Sequence, residues 1–103
     1  MMQILFKLIN VEITEEQYKE IEKWASVFYS VEDVALIMQF DKKEFINEYN
    51  DKNSEVYKTF KRSRLKQKGE LILSVFNQAK AGSGPAQTLA LKLIKNFELD
   101  EIK

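Results

Sequence analysis

Two stretches of this chain hold the residues best suited to meet a ligand by charge or hydrogen bonding. In "VEDVALIMQFDKKEFINEY", Val31 to Tyr49, the side chains of Lys42, Lys43 and Asn47 are of the types that contact phosphate oxygens and base edges in a DNA major groove. In "YKTFKRSRLKQK", Tyr57 to Lys68, there are six cations and no acid. On a helix, Lys58, Arg62 and Lys66 would line one side while Lys61, Arg64 and Lys68 spread around another. Each phosphate that such a cation neutralised would release counterions and steepen the salt dependence of binding. Both stretches also have a plainer reading. The first can be a structural corner, with Gln39 where glycine is common and with Glu44, Glu48 and Asp51 close by; the second can be a solvated helix surface.

Little else in the sequence can do chemistry. There is no histidine and no cysteine, which excludes zinc sites, cysteine nucleophiles and serine–histidine pairs. The carboxylate pairs Glu15-Glu16, Glu32-Asp33 and Asp100-Glu101 fall at capping or exposed positions, where solvated charge is the plainer reading than magnesium ligation. "GSGPAQ" lacks the GK[ST] of a phosphate loop and follows a helix instead of a strand, so it reads as a turn. The expectation is a protein without catalytic activity, cofactor or metal.

The elements that must position the two stretches are helical throughout. Thr14-Glu15-Glu16-Gln17 has the form of a capping box. The helix it opens, about Glu15 to Tyr29, would bury Tyr18, Ile21, Trp24 or Ala25, and Phe28 on one face. Ser30 is the next cap, with Asp33 favourably placed at the positive end of the helix dipole. Val34, Ala35, Ile37 and Met38 supply the buried side of this short helix. Gln39-Phe40 forms a corner, and Asp41-Lys42-Lys43-Glu44 is a second capping box opening another helix through about Tyr49, with Phe45, Ile46 and Tyr49 as its apolar residues. After "NDKNS", Ser54 caps a long helix to about Lys80, with an inward stripe of Tyr57, Phe60, Leu65, Ile72, Val75, Phe76 and Ala79. Gly69 within it allows close backbone approach or marks a kink. Gly82 suits the left-handed position that ends this helix, and Pro85 the first turn of the next. That last helix holds Leu89, Leu91, Leu93, Ile94 and Phe97 and is apolar on more than one face. Ile4 to Ile13 reads as an extended arm or a weak helix.

The composition suits one globular domain. The chain has 103 residues, 45% of them hydrophobic and 12% aromatic, enough to bury a modest core. The opening "MMQILFKLIN" is far shorter than the roughly 20 apolar residues of a membrane span. It also lacks the basic start and the cleavage site of a signal peptide. A cytoplasmic, membrane-free protein is expected, in keeping with the absence of cysteine. The net charge of zero conceals segregation: twelve acids against five lysines from Glu12 to Glu55, then ten bases against four acids from Val56 to Lys103. Such a chain can present a basic face to nucleic acid, and contacts between copies can use both signs.

The order of these elements resembles the small terminase subunit of tailed bacteriophages and prophages. "YSVEDVALIMQFDKKEFINEY" corresponds to that family's N-terminal helix-turn-helix, with Val34-Ala35 at its Ile/Val-Ala step. Tyr57 to Ala81 is similar to the long helix that follows, and Gly82-Ser83-Gly84-Pro85-Ala86 through Leu91 to the segment leading into the next helix. The resemblance spans Thr14 to Phe97. It implies a packaging protein in the bacterial host cytoplasm that recognises double-stranded viral DNA, assembles as a homo-oligomer and recruits the large terminase subunit.

The expected fold is therefore an all-α, helix-turn-helix-containing bundle of about five helices in one domain, 1–103. It comprises a helix-turn-helix region at 14–52, then a long basic helix and a C-terminal helix at 54–97. Lys42, Lys43 and Asn47 would read DNA, with Lys58, Lys61, Arg62 and Arg64 on phosphates. A helical interaction module without direct DNA binding, and a helix-turn-helix transcriptional regulator, are the alternatives.

Overall fold

The structure is a computed structural model that describes residues 12–102; the expected arm at Ile4 to Ile13 lies almost wholly outside them. It is all-α: α1 Glu15–Ser26, α2 Val31–Met38, α3 Lys42–Asn50, α4 Glu55–Lys80 and α5 Gly84–Ile102, with no strand among the described residues. The chain divides into two compact units, Met1–Gln67 and Lys68–Lys103.

Each described helix start in the first unit is closed by the side chain expected from the sequence, although at α3 only the Asp41 half of the expected capping box forms. At α1 the capping box is complete: Gln17 N–H donates to Thr14 Oγ1 at 3.1 Å and Thr14 N–H to Gln17 Oε1 at 2.9 Å. Ser30 Oγ accepts from Asp33 N–H and Asp41 Oδ2 from Glu44 N–H, each at 3.0 Å. Ser54 Oγ accepts from Tyr57 N–H at 3.1 Å and itself donates to Glu48 O at 2.6 Å, tying the end of α3 to the start of α4. Each cap removes an orphan backbone donor that would otherwise require water.

Three helix ends share one closure. After α1, Phe28 N–H donates to Ala25 O and Tyr29 N–H to Trp24 O; after α2, Gln39 N–H donates to Leu36 O and Phe40 N–H to Ala35 O; after α4, Gly82 N–H donates to Ala79 O and Ser83 N–H to Gln78 O. This double bond back onto the last turn requires one residue in the left-handed region, usually glycine. Gly82 meets the requirement with φ 108°, but the other two positions hold Phe28 at φ 66° and Gln39 at φ 60°. Glycine is thus absent from the α2–α3 corner while the backbone turns as if it were there.

The first unit's core is fully enclosed: Ile21 and Ala25 of α1, Val34 and Ala35 of α2, Phe45 of α3, and Val56 and Phe60 of α4. Tyr18, Trp24, Val31, Met38, Phe40 and Tyr49 pack around it. The rings interlock, with Phe45 5.3 Å from Phe40 and 6.1 Å from Phe60, and Tyr49 5.4 Å from Phe60. Such edge and tilted pairings favour the ring quadrupoles. On α4 the inward residues are Val56, Thr59, Phe60 and Ser63, at the spacing of one helical face. Three expectations fail here. Ile37, expected on the buried side of α2, is 39% exposed, because the buried contacts of that helix fall on Val34 and Ala35. Leu65 is 54% exposed rather than inward, because it lies off the inward face of α4. Phe28 is 51% exposed because α1 stops at Ser26 and the left-handed turn carries the ring off the buried face.

Among the described residues of the second unit only Ala86 and Ala90 are buried, while Ile72, Val75, Phe76, Ala79 and Leu93 are half-buried. Ser83 caps α5 through Ala86 N–H at 3.3 Å, and Gln87 Nε2 donates to Ala79 O at 3.0 Å, so the turn is held from both sides. Leu71, Leu73, Leu89, Leu91, Ile94, Leu99 and Ile102 are exposed. A Cβ built on Gly69 would meet nothing within 4 Å. The close approach expected there is absent, and α4 runs through the glycine unbroken.

Candidate nucleic-acid interface

The α2–α3 corner stands on the core just described. Val34 and Ala35 seat α2, Phe45 anchors α3, and Gln39 makes the turn between them. Lys43 and Asn47, one turn apart on α3, are both exposed on one line of the helix. Glu44 and Glu48 form the neighbouring line. Glu48 is half-buried, and that burial, followed by the charge of Asp51, holds its carboxyl above the ordinary range. Burial also raises the Tyr18 phenol, with Glu55 and Glu48 adding to the effect. Folding therefore favours the protonated form of Glu48 relative to an ordinary carboxyl. The resulting stabilisation is present below the ordinary carboxylate range and is lost as pH rises through the raised value.

Lys42 behaves differently from Lys43. Its Nζ lies 2.7 Å from Glu32 Oε2, an ion pair that joins the first turn of α3 to the first turn of α2. The hydrogen bond, and then the charge of Lys42, hold the Glu32 carboxyl below its usual range and raise the Lys42 ammonium. Both side chains are well exposed, so salt competes with the pair. A depression of about 230 Å³ beside it is lined by Glu32, Asp33, Leu36, Phe40 and Lys42. It falls below the roughly 300 Å³ at which small-molecule sites begin.

The basic run on α4 also splits by environment. Lys58 and Lys61 are exposed. Arg62 Nη2 lies 3.6 Å from Glu55 Oε2 in an exposed pair two turns apart. Arg64 is half-buried: Nη2 donates to Tyr29 O at 2.8 Å, the guanidinium carbon sits 4.9 Å from the centre of the Phe60 ring, and Nε is enclosed without a partner. A guanidinium so placed fastens α4 to the α1–α2 corner through a stacked, planar contact that lysine could not make.

Of the seven residues singled out from the sequence, Lys43, Asn47, Lys58 and Lys61 are thus exposed to solvent and form no ion pair among the described residues. Lys42 and Arg62 are paired with acids, and Arg64 is engaged internally. The acid opposite Lys42 and the exposed apolar corner at Val27–Tyr29 were not apparent from the sequence. The first depends on a contact ten residues apart. The second depends on where α1 stops, for which three successive apolar residues just before the Ser30 cap are the available signal.

No group of three or more acids, histidines or cysteines that could hold a metal occurs among the described residues. None of the helices there is long and apolar enough to cross a membrane. No known protein family, curated protein or solved structure matches the chain.

Proposed function

We propose that the first unit is a non-enzymatic, double-stranded-DNA-binding module, used as a small-terminase-like packaging factor of phage or prophage origin. The observation that carries this reading is a helix-turn-helix on a closed core, with Lys43 and Asn47 exposed along its second helix and Lys58 and Lys61 exposed on the helix that follows. In this reading α3 enters the major groove, where Asn47 meets base edges and Lys43 meets phosphate. Lys58 and Lys61 contribute sequence-independent affinity. Arg64 aligns α4 with the corner instead of meeting phosphate.

Titrating a labelled duplex at about 50 and 200 mM salt tests the proposal, because a few phosphate contacts already make binding fall steeply over that range. The same titration on Glu32→Gln is informative. Releasing Lys42 to a phosphate should raise affinity several-fold at about 0.1 M salt and steepen the slope by about one. A salt-independent signal, or no binding at the lower salt, would sink the DNA reading.

The exposed leucines and isoleucines of the second unit favour a protein-interaction role there. About 36 residues are too few to hold an independent core, and an apolar face of this extent requires a partner. We assign that partner as a second copy of the chain, giving a homo-oligomer to which a large terminase subunit could be recruited. Light scattering over a range of concentrations should give a mass above that of one chain; a monomer at every concentration would overturn the assignment.

A further inference from the structure

Val27, Phe28 and Tyr29 form an exposed apolar turn between α1 and α2, at 53%, 51% and 41% exposure. The turn is also strained. Phe28 occupies the left-handed position of a closure that α4 makes with Gly82, and a bulky residue with positive φ is uncommon. A large ring is therefore held in the open at a position where glycine would be easier. The turn is fixed from two sides. Arg64 binds the Tyr29 carbonyl at 2.8 Å, and the Trp24 ring lies 5.2 Å from that of Tyr29. Lys23 Nζ sits 4.8 Å from the centre of the Trp24 ring, and Lys61, one turn before Arg64 on α4, is exposed.

Exposed aromatic rings fastened to a helix bearing cations are the combination that holds unpaired nucleotides: bases stack on the rings while phosphates follow the positive charge. We propose that the Val27–Tyr29 turn is a stacking site for single-stranded DNA, with Phe28 and Tyr29 receiving bases and Lys61 meeting the backbone. Apart from Lys61, which both would use, this site shares no residue with the duplex surface proposed above, and it does not depend on duplex recognition. Beside the Glu20 carboxylate, which accepts from Trp24 Nε1 at 3.4 Å, the charges in contact with the turn and its Trp24 platform are the cations Lys23 and Arg64, and these favour a nucleic-acid strand over an apolar protein segment, which would gain nothing from them.

The test uses the full chain and an oligo(dT) strand of about 16 nucleotides, long enough for one site, at about 0.15 M salt, where surface charge alone is weakened. Trp24 is the sole tryptophan of the chain, and its contact with Tyr29 makes its fluorescence a direct reporter. Binding should change that fluorescence. Phe28→Gly should fold at least as well, since it relieves the left-handed strain, yet bind oligo(dT) on the order of tenfold more weakly, as loss of one stacked base predicts. Phe28→Asn, which also tolerates positive φ, should give the same loss and guards against an anomaly of the glycine variant. Equal affinity of both variants and the unaltered chain, or no binding by the unaltered chain, overturns the proposal. Binding to a duplex but not to oligo(dT) sinks this site alone, whereas binding to oligo(dT) but not to a duplex sinks the duplex reading alone.

Discussion

Phe45→Ala should unfold the first unit under ordinary conditions. The ring has no exposed surface and touches two others, Phe40 and Phe60, from α3's place at the middle of the core. Removing a buried phenylalanine costs about 3–5 kcal/mol through lost transfer energy and the cavity left behind. A core of this size rarely supplies more than about 3–5 kcal/mol in total. Urea denaturation followed by helical circular dichroism, beside Leu36→Ala as a control, checks the expectation. Leu36 is 78% exposed, and its loss should change stability by no more than about 0.5 kcal/mol. A cost for Phe45→Ala below about 1 kcal/mol, the ordinary size of a point-mutation effect, would contradict the packing described.

The second large effect concerns binding. Replacing Lys58 and Lys61 together with alanine should weaken duplex affinity by about two orders of magnitude near 0.1 M salt and flatten the log–log salt slope by roughly 1.8, the effect of losing two phosphate contacts. Stability should hardly move, since both side chains are exposed and neither is held by an ion pair or side-chain hydrogen bond among the described residues. Arg62→Ala should alter the slope less, because Glu55 already faces its guanidinium at 3.6 Å. Arg64→Ala should act in the opposite manner, lowering stability with little change in slope, because its guanidinium is turned to Tyr29 and Phe60. An unchanged slope in the double variant would remove α4 from the DNA surface.

The contrast between Lys61 and Arg64 shows where the sequence is legible and where it is not. Caps are local, so Thr14, Ser30, Asp41 and Ser54 mark four helix starts, and the structure places a bond at each. The fold class follows from those starts and the helical spacing of Ile21, Ala25, Val34 and Phe45. Helix ends are harder. At α1 the apolar pattern runs on through Phe28 and Tyr29, but the backbone turns left-handed at Phe28, a choice no periodicity reveals. On α4 the buried positions Thr59 and Ser63 are polar, so the hydrophobic pattern shifted the inward stripe toward Leu65. The candidate interface was legible in residue type but not in use. Six neighbouring cations look alike in sequence, and what separates the paired and fastened ones from the exposed ones is an intrahelical pair seven residues apart for Arg62 and a tertiary contact 35 residues away for Arg64.

The course of α4 beyond Ser63 has a consequence for motion. No residue from Arg64 to Lys80 is fully buried, and Ile72, Val75, Phe76 and Ala79 are half-buried only further along, so the stretch around Gly69 persists mainly on backbone hydrogen bonds and the helix propensities of its lysines, glutamine and leucines, with Gly69 opposing by about 1 kcal/mol. Regions with few buried contacts open locally at far less than the free energy of global unfolding. Amide hydrogens around Gly69 should therefore exchange with solvent well before those around Phe60, although both belong to one unbroken helix. Secondary structure makes α4 a single element, while its protection against exchange divides it.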